Sequence, residues 1–352
     1  FREECPDLIT VKSVVSPELM MLHALSAVKG LEPDKVLTDE RSLVAVFEEF
    51  FSGFEVSLRD EMAQKFLEAL EKYRRWIDNN LVYIDQESDD RVYRFRTSDA
   101  NPCEDIEKNG QGDEGEKHVI ERLRQFESML YVCYPNGEQW AYAAYHQFRD
   151  RDDMSKKELF SFLRNWDQTR DRLPTLSELN YLQIERRWFW RLDYILWERI
   201  SFGISDETIV EGIPSVLING DAHDRRRVSI RNFTFRANRS IEHLHPQTAT
   251  DASLQERREW NGILYKDSLV RVEDSFGNLA MISSSFNSMQ GNDQINAKLA
   301  RIKDQINENR LESIKLLVMS TLAGDDIARW TVDIAKEHGE AMYQLLKQEY
   351  DS

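Results

Sequence analysis

The sequence predicts a mainly α protein, in which a helical N-terminal region precedes a C-terminal domain carrying one small strand–strand–helix unit under a helical cover. Two observations carry this expectation. Apolar residues recur at three- and four-residue spacing through most of the 352-residue chain, the period of one buried helix face. Strand-like runs are few and short, the clearest being SIEHL at 240–244 and LAMI at 279–282. The domains are expected at 1–205 and 206–352, with a 41% hydrophobic content sufficient for more than one core.

The first helix is signalled by Ser16 as cap and Pro17 in the first turn, followed by Leu19, Met20, Leu22, His23, Leu25 and Val28 up to Gly30. His23 reads as a core or groove histidine. Amphipathic helices are expected over 41–51 and 58–76, and one or two strands over 81–95 around an acidic turn at 87–90. The tract 97–117 mixes Pro102, Gly110, Gly112 and Gly115 with acids and has the composition of a mobile loop. Helices resume over 118–134, 139–148, 156–163 and 176–200. The last of these carries Trp188, Phe189, Trp190, Tyr194 and Trp197, assigned to the seam between the two halves, with Arg186, Arg187 and Arg191 expected to reach outward. A helix-like insertion over 253–265 is expected to pack on the strands through Trp260. Helices over 294–307, 311–322 and 325–350 complete the cover, with His338 at its surface.

Net charge is −17, from 46 Lys and Arg against 63 Asp and Glu, so any polyanion must be met by a local basic surface. Arg225, Arg226, Arg227, Arg231, Arg236 and Arg239 supply one just before residue 240. Cys5, Cys103 and Cys133 are far apart and form no CxxC pair, which argues against a structural zinc or a disulfide framework and fits a reducing cytoplasm. No apolar run is long enough for a membrane helix, and no cleavable signal opens the chain. The start at Phe1 leads us to expect a trimmed fragment.

The stretch that speaks about chemistry is SIEHLHPQ, joined through a long connection to GNLAMISSSFN. Glu242 and His243 end a short apolar segment that Pro246 stops. If the segment is extended, alternation places His243 and His245 on one face and Glu242 on the other. Hydrolysis of a phosphodiester with one hard cation needs oxygen ligands and a base that titrates near neutrality. Glu242 and Asn287 suit the first need, with Mg²⁺ or Mn²⁺ as the cation, and His243 suits the second. Taken singly, each residue is better explained as a surface pair, a core histidine or a turn asparagine; the ordered combination is what carries the reading.

IEHLHPQ followed by GNLAMISSSFN resembles the HNH, or ββα-metal, endonuclease motif. The resemblance is greatest to the C-terminal nuclease domain of GmrSD-like modification-dependent restriction enzymes, where an IEHxxPQ strand precedes a GNLxLL strand and a downstream Asn. It implies an HNH-like unit with His243 as general base, Glu242 and Asn287 as metal ligands, and Asn278 as an orienting residue in the hairpin. The nine-residue spacing from Asn278 to Asn287 agrees, whereas many relatives carry Asp in place of Glu242. DNA, modified or unmodified, is the implied substrate, with Arg236, Arg239, Lys298 and Arg301 expected at its phosphates. His245 is open between a phosphate contact and a packing role. Residues 1–200 resemble, more diffusely, the helical region that precedes the nuclease domain in these proteins. The DGQQR-type motif linked to nucleotide hydrolysis is absent, so nucleotide control is expected either on a domain or partner outside this chain or not at all. The alternative is a DNA-binding or regulatory module that keeps the HNH-like unit without cutting.

Overall fold

Ser16 and Pro17 open the first helix as their chemistry requires: the Ser16 hydroxyl accepts a hydrogen bond from Leu19 N at 3.2 Å, and Pro17 stands where no amide donor is needed. The computed structural model describes residues 11–85, 92–94, 114–135, 138–151, 153–203, 212–247, 254–286, 295–324 and 329–351. The fold is mainly α, and the chain divides into two units, Phe1–Asp167 and Gln168–Ser352.

The first unit contains α1 (Pro17–Val28), α2 (Leu43–Ser52), α3 (Val56–Asn80), α4 (Glu114–Cys133), α5 (Glu138–Phe148) and α6 (Lys156–Gln168). An antiparallel sheet, in the order β1 (Val11–Ser13), β2 (Tyr83–Asp85), β3 (Val92–Arg94), completes it. The sequence did not signal β1, because three residues are too few to show alternation. His23 is a core residue: it is fully buried, its Nδ1 lies 2.7 Å from the Tyr73 hydroxyl, and burial lowers its pKa to about 3. Residues 114–117, expected in the acidic loop, form the first turn of α4. The turn at 87–90, the tract 97–113, Cys5 and Cys103 lie outside the described residues; Cys133 Sγ lies 3.3 Å from Met129 Sδ within α4.

The second unit is built on α7 (Arg187–Phe202), which packs against α8 (Ser215–Asn219), α9 (Arg225–Arg231) and the later helices of the same unit. Trp188, Phe189, Tyr194 and Trp197 are therefore core residues of this unit. The sequence placed the domain boundary at 205/206, after this helix; the structural division falls before it. The helix begins at Arg187 and not at 176 because Asn180 organises turns upstream. Its Nδ2 donates to Ser177 O and to Gln183 Oε1, both at 2.8 Å, and its Oδ1 accepts from Leu182 N at 3.0 Å, local bonds that compete with helix. Arg191 does not reach outward as expected: it is wholly buried, 2.9 Å from Asp171 and 4.5 Å above the Trp188 ring. Arg187 is tied to the same carboxylate at 3.1 Å.

β4 (Ser240–His243) and β7 (Leu279–Ile282) pair antiparallel, with Ser240 opposite Ile282 and His243 opposite Leu279. Between them lie α10 (Leu254–Trp260) and a hairpin of β5 (Ile263–Tyr265) and β6 (Val270–Arg271), where one helix-like insertion was expected. After β7 come α11 (Ile295–Glu308), α12 (Ile314–Ala323) and α13 (Val332–Tyr350), so the order is strand, insertion, strand, helix. Leu244, Trp260, Ala280, Ile282, Leu299 and Leu316 share one buried cluster that joins hairpin, insertion and helices. His338, expected on the surface, is 2% exposed inside this unit. Its position on α13 turns inward between Met342 and Ala335, both also buried.

The turn before β7 lies directly against α13. A Cβ on Gly277 would stand 1.8 Å from Ala335 O, and one on Gly339 would stand 3.0 Å from Gly277 N. The glycine of the GNL run is thus required by a backbone-to-backbone approach. Gly277→Ala is expected to cost roughly 1–3 kcal/mol by overpacking, read as a lower midpoint in urea or thermal unfolding of the full chain; an unchanged midpoint would refute the close approach.

Candidate active site

Asn278 holds the two halves of the motif together. It is fully buried, and its side chain uses every hydrogen-bonding position that an amide has. Oδ1 accepts from His245 N at 2.8 Å and Trp330 Nε1 at 3.2 Å, while Nδ2 donates to His245 O at 3.0 Å and Glu273 O at 2.8 Å. The chain leaving β4 is thereby fixed to the chain entering β7. Lys315 fastens the same turn from α12, donating to Phe276 O at 2.8 Å and to Leu279 O. Burial pushes Lys315 down to about 7, and pushes Asp193, which accepts from Lys315 N at 2.7 Å, up to about 7.

On one side of β4, Glu242 forms a buried ion pair with Lys298 of α11, whose ammonium also donates to His243 O at 2.7 Å. The two side chains are 6% and 3% exposed. Lys298 is therefore not on the surface, where a phosphate contact was expected; its ammonium links α11 to the hairpin. On the other side, His243 Nε2 lies 3.1 Å from Asp274 Oδ1, which also accepts from Gln247 Nε2 at 2.8 Å. The His243 bond and then the Gln247 bond hold Asp274 below the usual carboxylate range. The Tyr181 ring lies 4.6 Å from the imidazole, and Tyr181 N donates to Asp274 O at 2.9 Å. His243 Nδ1 makes no hydrogen bond to any described residue.

His245 has the packing role of its two alternatives. Its ring stacks on Trp260 with centroids 4.0 Å apart and planes at 9°, and Nε2 lies 3.5 Å from Glu256. Burial lowers its pKa to about 4, against the opposing pull of Glu256. The strand alternation expected for Glu242 and His243 holds, so the carboxylate beside the imidazole is Asp274 and not its sequence neighbour. Arg239 is exposed, whereas Arg236 and Arg301 are half-buried. Asn287 lies outside the described residues. Among the described residues no three His, Cys, Asp or Glu side chains gather closely enough to hold a metal ion by themselves.

Residues 171–345, which include all of this geometry, match the family model described as GmrSD restriction endonucleases, C-terminal domain. This part of the chain belongs to that family. No curated protein and no solved structure matches the chain. The GmrSD domain begins upstream of α7, so the Asn180 turns and Tyr181 are part of it. Among the described residues no helix is long and apolar enough to cross a membrane.

Sequence reasoning missed Asp274, Tyr181 and Lys315. Asp274 stands four residues before Asn278 in VEDSFGN, a carboxylate just ahead of the second strand, which is a signal only once that strand's partner is known. Tyr181 and Lys315 lie far from the motif in sequence and carry no local mark of their position.

Two outcomes follow for this GmrSD domain. Asn278→Ala leaves the His245 amide and the Trp330 indole without their acceptor in a buried place, at a cost on the order of 2–4 kcal/mol, measurable in urea. His338 is held well below its ordinary pKa of 6.5 by burial, with no hydrogen bond from any described residue to either ring nitrogen. Its folded pKa is depressed, so the unfolded chain binds the extra proton and stability is lost as pH falls below 6.5. Asp193 contributes the opposite slope, since its raised pKa favours the folded state at low pH. Comparing unfolding midpoints at pH 7 and 4.5 in wild type and His338→Leu isolates the histidine: the variant should lose less stability in acid, and parallel losses would refute its burial as a neutral base.

Proposed function

We propose that residues 171–345 hydrolyse DNA phosphodiester bonds as the cleaving part of a restriction or defence system, by HNH (ββα-metal) chemistry with His243 as general base. The observation that carries this reading is the placement of His243. It ends β4, the first strand of a strand–insertion–strand–helix unit, and among the described residues only one of its ring nitrogens has a hydrogen-bond partner. His245 is stacked on Trp260 and His338 is sealed in the core, which leaves His243 as the imidazole of this hairpin that is free to accept a proton from water.

The cation is part of the proposal. Glu242 Oε1 and the His243 carbonyl both face the Lys298 ammonium, so oxygen donors already converge on a positive charge. That donor chemistry fits Mg²⁺ or Mn²⁺, with Glu242 and Asn287 as ligands, on condition that Lys298 withdraws. When bound, the ion would supply charge stabilisation to the phosphate and the leaving oxygen. The protein's own part is to hold His243 at the strand end through the Asn278 clamp, to shield it with Tyr181, and to offer Arg239, with Arg236 and Arg301 near it in role, to flanking phosphates. Modified DNA as the preferred substrate and a nucleotide-hydrolysing partner rest on the family alone.

A module that binds DNA without cutting is favoured by one observation, the neutralisation of Glu242 by Lys298. Nicking of modified and unmodified plasmid with Mn²⁺ separates the two. Wild type should cut, and His243→Ala should lose at least roughly a hundredfold in rate with an unchanged unfolding midpoint. Cleavage by His243→Ala at the wild-type rate would refute the base assignment. Failure of wild type to cut or to bind Mn²⁺ would favour the non-cutting module.

A further inference from the structure

We infer that Asp274 is the positioning residue for His243, an inference that rests on the nuclease reading above and names the carboxylate that the motif itself does not contain. The glutamate next to His243 in sequence cannot serve, because Glu242 points to the opposite face and is paired with Lys298. Glu273, next to Asp274, accepts from Arg271 at 3.2 Å and makes no hydrogen bond to the imidazole among the described residues. Among the described residues Asp274 is the carboxylate that hydrogen-bonds the imidazole, its Oδ1 lying 3.1 Å from Nε2.

What surrounds Asp274 restrains it from three directions. Gln247, just past the end of β4, donates to the same Oδ1 at 2.8 Å. The Asp274 carbonyl accepts from Tyr181 N at 2.9 Å, and the neighbouring Ser275 forms a β-bridge with Asn180. The loop hung on these bonds lays the Tyr181 ring on the imidazole at 4.6 Å. His243 is thus held by a carboxylate at Nε2 and by a tilted aromatic ring beside it, and both holds depend on the segment 273–275.

The chemical consequence concerns the tautomer. An ionised carboxylate is acceptor-only, so the His243 nitrogen facing it carries the proton, and the hydrogen bond at one ring nitrogen decides the state of the other. Nε2 is the protonated atom and Nδ1 keeps its lone pair. Asp274 therefore presents Nδ1 as the basic atom, and steadies the imidazolium that forms when a proton arrives there, without touching substrate itself.

The test uses the full chain, supercoiled plasmid and Mn²⁺, with Asp274→Asn as the near-isosteric variant and Asp274→Ala as the truncation. Both should lower kcat by roughly ten- to a thousandfold while KM for plasmid changes less than about threefold. Long-range ¹H–¹⁵N spectra of labelled histidine should show His243 protonated on Nε2 in wild type and shifted toward a mixture or the Nδ1–H form in Asp274→Ala. A wild-type rate in Asp274→Asn, or a lowered rate with the His243 tautomer unchanged in Asp274→Ala, would overturn the positioning role and leave the nuclease reading in place. Absence of cleavage by wild type would overturn the nuclease reading, whereas the tautomer in wild type and Asp274→Ala would still decide whether Asp274 directs the imidazole.

Discussion

The second unit depends on a single buried amide. Asn278 binds main chain that follows β4 and main chain that precedes β7, and it also accepts from an indole that precedes α13. A buried amide left partly unpaired would cost more than an apolar residue in the same place. Here every donor and acceptor is used, so the polar group specifies one arrangement of the hairpin ends. Because His243 closes β4 and Asp274 stands just before the turn, the alignment that Asn278 imposes also sets the distance between imidazole and carboxylate.

Around this clamp the unit uses cations inside its core. Lys315 satisfies the carbonyls of Phe276 and Leu279 from α12, and Lys298 of α11 forms an ion pair with Glu242 and satisfies the His243 carbonyl. Each lysine links a helix to a strand end by a charge-assisted bond, which is stronger and more directional than an apolar contact. Removing one partner of such a buried pair leaves a charge uncompensated. The close packing of Gly277 on α13 adds a steric restraint to these electrostatic ones. Polar fixation and backbone contact converge on one turn, and this explains why the motif reads as GNL: glycine for the approach, asparagine for the clamp, leucine for the buried strand that follows.

Helices with capping residues and a continuous apolar period were legible, as Ser16 and Pro17 at the start of α1 illustrate. Elements defined by partners were not. β1 and the β5–β6 hairpin are too short for alternation to show, and the Asn180 turns interrupt a stretch whose composition is helical. The site divided in the same way. His243, Glu242 and Asn278 were visible as types in a fixed order, but the burial of Lys298 and His338 was not, because a basic or imidazole side chain on a helix carries no local sign of whether its neighbours are water or a packed core.

By itself the sequence determined the helical character of the chain, the strand order of its small hairpin, and the residue types offered for chemistry, since these depend on periodicity, capping and local alternation. Only the tertiary structure decided which carboxylate meets which base. Strand alternation sends Glu242 and His243 to opposite faces, and the partners waiting there, Lys298 on one side and Asp274 with Tyr181 on the other, come from segments that local preferences cannot bring together.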